Sequence, residues 1–145
     1  MNSIRRALVA AFVLTLAKPL AALAAWNKEA FSAKTAGDAL KNLGIANATP
    51  TKDLSVEVPQ IAENGAVVPV EISSAIPGTT ALIVVIDKNP FPLISRFDFK
   101  EGALPFVKVN VKMGETSDIR VLAEAAGKYY VTTREVKVTI GGCGG

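Results

Sequence analysis

The 145-residue chain carries one cysteine, Cys143, in the closing stretch TIGGCGG, with Gly141 and Gly142 before it and Gly144 and Gly145 after it. A structural cysteine behaves as a small hydrophobe gripped by bulky neighbours. Glycine has no side chain to grip with, and it visits φ > 0 as readily as φ < 0. These neighbours make Cys143 a poor core residue. An unpaired cysteine in an exported protein is either joined to another molecule or kept as a reactive group.

The rest of the inventory narrows the chemistry further. The chain has no histidine. Without one there is no Ser-His-Asp or Cys-His arrangement, no haem-attachment CxxCH and no zinc site of the usual histidine-containing kinds. One cysteine cannot form a CxxC redox pair or ligate an iron–sulfur cluster through four thiolates. No cofactor, metal site or autonomous catalysis is expected. The reactive species of a thiol is its thiolate, and a free cysteine titrates near pH ~8.5. The tail supplies no neighbouring base or helix start to lower that value, so activation falls to whatever protein receives the thiol.

Charge removes another class. Sixteen basic residues against thirteen acidic ones give a net charge of +3. The first 25 residues hold Arg5, Arg6 and Lys18 and no acid, which accounts for the whole surplus. The remaining chain lacks the basic excess of a nucleic-acid-binding domain. Those first residues read as an export signal: MNSIRR is a positive start, Ala7 to Ala17 is an apolar stretch too short for a membrane span, and Ala22-Leu23-Ala24 or Leu23-Ala24-Ala25 offers a cleavage site before Ala25 or Trp26. Arg5-Arg6, followed by Ala7 and Leu8, with Lys18 near the segment's end, suggests the twin-arginine route, although paired arginines also occur in ordinary signals. No later apolar run is long and uninterrupted enough to cross a bilayer. The expected location is a bacterial periplasm, with no membrane or nucleic-acid partner.

The elements that must position the thiol are a helix and a series of strands. Asn27 to Leu43 spaces Phe31, Ala36, Leu40 and Leu43 along one side of a single predicted helix, with Asn27 as cap, Glu29 in the first turn and Gly44 as stop. Eight short strands are then expected: Leu54 to Val58, Val67 to Ile72, Ala81 to Ile86, Phe97 to Phe99, Phe106 to Val111, Ile119 to Ala123, Tyr129 to Thr133 and Val136 to Ile140. Turn-forming residues separate most of them at β-sandwich intervals. The fold class is all-β: an antiparallel, immunoglobulin-like sandwich at 26–140 with an N-terminal helix. Trp26, Phe31, Phe91, Phe97, Phe99 and Phe106 read as core or interface residues, and the Tyr129-Tyr130 pair places one ring on each face of a strand.

In the last strand Val136, Val138 and Ile140 alternate with Lys137 and Thr139, so one face packs inward and anchors the residues beyond it. Residues 141–145 are expected to form a flexible arm. Five extended residues reach roughly 17 Å at about 3.3 to 3.6 Å each, and glycine flanks keep that reach thin. Such a tether can carry a thiol into a narrow active-site channel and withdraw it again.

VTIGGCGG, behind a signal with paired arginines, a leading helix and a sandwich-like body, resembles the C-terminus of the SoxY family of the periplasmic thiosulfate-oxidising system. NPFPLISRF, Asn89 to Phe97, is similar to a proline-containing segment of that family. The resemblance therefore covers most of the mature chain. It implies a heterodimer with SoxZ and covalent carriage of sulfur intermediates on Cys143. It also implies visits to the c-type cytochrome SoxAX, the metal-dependent hydrolase SoxB and, where present, the sulfane dehydrogenase SoxCD.

From the residues alone a second class stays open: a secreted binding or assembly module that uses Cys143 for intermolecular disulfide crosslinking. Prenylation fits less well, because the cysteine is third from the end and the chain carries an export signal. Asn89 to Phe97 reads as turn-forming prolines at a sheet edge in preference to a partner-binding loop.

Overall fold

The computed structural model describes residues 26–139. The export segment at 1–25, Ile140 and the glycine-flanked cysteine at 141–145 lie outside the described residues. The element order is α1 (Lys28–Ser32), α2 (Ala36–Asn42), β1 (Thr49–Pro50), β2 (Leu54–Glu57), β3 (Ile61–Ala62), β4 (Val68–Ser74), β5 (Thr79–Ile86), β6 (Leu93–Asp98), β7 (Phe106–Val111), β8 (Ser117–Ala125) and β9 (Lys128–Val138).

The expected single helix is two. Asn27 caps the first through its side chain, which accepts from the Ala30 amide at 2.9 Å. Ala33 is extended, and Thr35 then opens the second helix by accepting from the Asp38 amide while its hydroxyl donates to the Asp38 carboxylate at 2.7 Å. T-A-G-D is thus a capping motif inside an apparently continuous helical pattern, and a new N-cap breaks the run. Gly44, at φ +76°, ends α2: its amide donates to the Lys41 carbonyl and that of Ile45 to the Leu40 carbonyl. This double closure requires a left-handed residue, which glycine supplies.

Two sheets face each other. One runs β1-β9-β8-β5-β6 with β3 also on β9, and the other runs β2-β4-β7. All the long ladders are antiparallel, whereas β1 and β3 lie parallel to the two halves of β9. Between the sheets Leu54, Val56, Val68, Val70, Ile72, Leu82, Val84, Ile86, Ile119 and Val121 form the main core. A second cluster joins Ala30, Ala36, Ala39 and Ile45 to Ile83, Val85, Leu93 and Leu122 on the opposite face of the larger sheet. The helices therefore make a third layer. That explains why ALIVVI in β5 is apolar at every position: a strand buried on both faces has no solvent side to mark with polar residues.

The sequence splits β9 in two at its polar TTRE stretch, but the strand is continuous. Thr132 is buried, with Oγ1 2.9 Å from the Thr51 carbonyl and 3.0 Å from that of Leu54, so its hydroxyl ties β9 to the stretch where the chain passes from β1 to β2. None of the six expected aromatic core residues is fully buried. Phe97 and Phe99 flank the main core and Phe31 the second, whereas Trp26, Phe91 and Phe106 are exposed. Tyr129 packs beside the helical layer, and both tyrosines are half-buried.

Candidate functional site

Because Cys143, Gly141, Gly142, Gly144 and Gly145 lie outside the described residues, the structure defines their attachment: the end of β9 and the loops around it. The strand holds its inward register there, with Val136 fully buried opposite Ser117 and Val138 packed against the main core. β8 begins at Ser117, paired with Val136, so the regular ladder stops two residues short of Val138. Thr116 takes over with its side chain. Its hydroxyl accepts from the Val138 amide at 3.0 Å and lies 3.5 Å from the Val138 carbonyl.

The other edge of β9 is held by the segment 60–65. The Lys137 amide donates to the Gln60 carbonyl at 3.0 Å and the Thr139 amide to the Ala62 carbonyl at 3.2 Å. The Thr139 hydroxyl reaches the Glu63 carbonyl at 3.3 Å. A tight turn follows, in which Asn64 Oδ1 accepts from the Ala66 amide at 3.0 Å. Gly65 wedges against the β7–β8 loop, accepting from the Met113 amide at 2.7 Å. A Cβ there would collide with the Met113 carbonyl oxygen and lie 2.8 Å from Val138 Cγ1. Close backbone approach is what requires glycine at this position.

A second loop braces the first two. Asn89 donates to the Lys112 carbonyl at 2.7 Å and accepts from the Gly114 amide at 3.3 Å, while the Lys88 amide donates to Ser117 Oγ at 3.1 Å. Asp87 pairs with Arg120 at 2.7 Å. The N-terminal part of NPFPLISRF is thus a turn at the edge of the larger sheet, packed by Asn89 against a neighbouring loop. Phe91, at its tip, is exposed and lies under Lys34, whose ammonium is 3.6 Å from the ring centroid. Exposed Ile61 and Val67 flank the root, as does a cleft of about 380 Å³ lined by Gln60, Ile61, Glu135 and Lys137.

Sequence reasoning singled out the tail but missed Gly65, Thr116 and Thr139, which hold its root. Asn64-Gly65 carried a turn signal; the role of Thr116 depends on a residue 22 positions away and had none.

Elsewhere Arg96 bridges Asp98 at 2.8 Å and Glu124 at 2.7 Å on the helical side of the sheet. Burial opposes its charge, but hydrogen bonds to both carboxylates and their negative charge outweigh that and raise its pKa further. A guanidinium held so firmly in the charged form is a structural tie and no proton donor. Among the described residues no group of three or more His, Cys, Asp or Glu could hold a metal ion, and no helix is long and apolar enough to cross a membrane.

Fold and site together define an immunoglobulin-like sandwich whose last strand is fastened on both edges immediately before a glycine-flanked cysteine. The model of the family described as sulfur oxidation protein SoxY matches residues 41–143, and the chain belongs to the SoxY family. Its structure is similar to that of the sulfur carrier protein SoxY from Chlorobium limicola f thiosulfatophilum, at 34% identity and a TM-score of 0.65, covering 72% of this chain and 96% of that one. It is also similar in fold to the superoxide reductase (neelaredoxin) from Ignicoccus hospitalis, at 17% identity and a TM-score of 0.51, over 61% of this chain and 82% of that one. At that identity the likeness concerns the fold alone. No curated protein matched the chain.

Proposed function

We propose that this protein is a covalent carrier of sulfur intermediates in thiosulfate oxidation, with Cys143 as the attachment point. The observation that carries this reading is the family match, which extends to Cys143 itself, together with 34% identity to a protein described as a sulfur carrier. In this reading residues 1–25 direct export to the periplasm, 26–140 form the carrier body, and 141–145 form a swinging arm whose four glycines keep it thin and flexible.

The chain supplies a nucleophilic sulfur and the reach to present it; the redox and hydrolytic centres belong to its partners. In the first step the Cys143 thiolate and the outer sulfur of thiosulfate form an S–S bond: Cys–S⁻ + S₂O₃²⁻ gives Cys–S–S–SO₃⁻ and two electrons, which pass to the cytochrome SoxAX. In the second, water attacks the sulfonate sulfur under SoxB: Cys–S–S–SO₃⁻ + H₂O gives Cys–S–S⁻, sulfate and two protons. Where SoxCD is present it oxidises the remaining sulfane sulfur. SoxZ completes the carrier as a heterodimer.

Intact mass after incubation with thiosulfate and the electron-accepting cytochrome tests this reading. The expected product is an adduct on Cys143 of the mass of S–SO₃, absent from Cys143→Ser, with the thermal midpoint of that variant unchanged. Disulfide-linked dimers as the only product would instead support the crosslinking module.

A further inference from the structure

We infer that the outer edge of β7 is a docking edge for an extended, acidic strand of another protein, which joins β2-β4-β7 as a fourth strand. The two sides of the sandwich are finished differently. On one side β2 packs on β9, and the Thr132 hydroxyl bonds to the Leu54 carbonyl. On the other, β6 ends the larger sheet and β7 ends the smaller one. Ile94 and Phe97 of β6 and Val107 and Val109 of β7 pack against the main core there, yet each is only half-buried. Ser95, opposite Val84 on the same face, has its Oγ buried without a hydrogen-bond partner among the described residues. The interior is left unfinished along this side.

Of the two outer strands, β7 is the one fit to pair. Ile94 is an extra residue between Ser95, opposite Val84, and Leu93, opposite Val85, and such a bulge turns the β6 edge away from further pairing. β7 has no bulge, no proline and no inward charge. The Ser74 amide donates to the Pro105 carbonyl, and from that bond the register alternates: Val107, Val109 and Val111 exchange bonds with β4, whereas Lys108 and Asn110 turn their amides and carbonyls outward. An added strand bonds to those outward groups and lays its apolar side chains over Val107 and Val109.

Charge selects the occupant. Within 99–113, Lys100, Lys108 and Lys112 stand on or beside the edge against Glu101 alone, and the Lys108 side chain stays 70% exposed although Glu71 lies 3.0 Å away. A second copy would bring this basic edge against itself, whereas a strand alternating apolar with acidic residues meets it with opposite charge. The edge does not involve Cys143, so its fate and that of the carrier reading are decided separately.

The test is a short capped peptide alternating valine and glutamate, which its own charge keeps monomeric at neutral pH, added to the full chain. Amide exchange at Lys108 and Asn110 should slow about tenfold, while exchange at Val109, already in the ladder, stays the same. The same peptide with lysine in place of glutamate should bind about tenfold more weakly, and sodium chloride should narrow that gap. Asn110→Pro removes only an outward amide, so it should weaken binding of the glutamate peptide about tenfold with Val109 still protected. Lys108→Glu leaves the backbone alone and should reverse the preference between the two peptides. No slowing at Lys108 and Asn110, equal binding of both peptides, or an unreversed preference in Lys108→Glu would overturn the docking edge. So would protection of both amides in the chain alone as a dimer by sedimentation, because a second copy would then hold the edge.

Discussion

The sandwich is closed differently at its two ends. At the end where β9 finishes, side chains in three loops bond to backbone 22 to 76 residues away: Thr116 to Val138, Asn89 to Lys112 and Gly114, and Thr139 to Glu63. At the end where β9 begins, turns are mostly self-sufficient, apart from the Thr132 hydroxyl, which ties β9 to the Thr51 and Leu54 carbonyls. Ser74, Ile76 and Thr79 bond among themselves within five residues, and Gly78, Gly102 and the Ala126-Gly127 pair turn the chain with positive φ. Thr80 does reach the Glu124 carbonyl at 3.3 Å, but β5 and β8 are already paired there. Self-contained turns shape one loop at a time, whereas cross-loop ties fix loops relative to one another. The second arrangement stands where the cysteine-bearing segment leaves.

That contrast can be broken experimentally, starting with its strongest element. Gly65→Val should cost about 3 kcal/mol, since overpacking forces the backbone to shift, and urea unfolding would read it; a loss below about 1 kcal/mol would show that the contact yields easily. Asn89→Ala removes two cross-loop bonds and should cost about 1.5 kcal/mol. At the other end Gly102→Ala meets nothing within 4 Å, so its cost, about 1 kcal/mol, should come only from φ +83°. Ala126→Asn, in a tight turn at φ 50°, should raise stability by about 0.5 kcal/mol, because asparagine tolerates left-handed backbone better. Smallest of all, Lys108→Ala breaks only the exposed pair with Glu71 and should change stability by less than about 0.5 kcal/mol. If Asn89→Ala costs no more than Lys108→Ala, the cross-loop ties do not hold that end.

Much of this was legible from residue patterns, for identifiable reasons. β7 was expected at Phe106–Val111 and is found there, because one polar face and clear turn residues mark its ends. ALIVVI was legible as a strand, but its double burial required knowing that the helices cover the larger sheet. Thr35 and Asp38 hid a helix break, since the apolar spacing continues through them. β1 and β3 are two residues each, too short for any period, and exist only because β9 has a free edge to cover. The cysteine stands out by composition alone and lies outside the described residues. Its root does not stand out, because Thr116 and Gly65 gain their roles from residues distant in sequence.

The placement of β1 and β3 on β9 also orders assembly in time. Thr49 lies opposite Tyr130 and Ile61 opposite Lys137, so the first strands of the sandwich must wait for its last. Contacts of such long sequence separation form slowly, since the intervening loop must be closed before they give any return. A growing chain therefore holds β1 and β3 without their sheet partner until β9 has been made. The ties of Lys137, Val138 and Thr139 to the Gln60 carbonyl, the Thr116 hydroxyl and the Ala62 carbonyl come into being in that same closure, so a body without β9 also lacks the bonds that join those two loops through it.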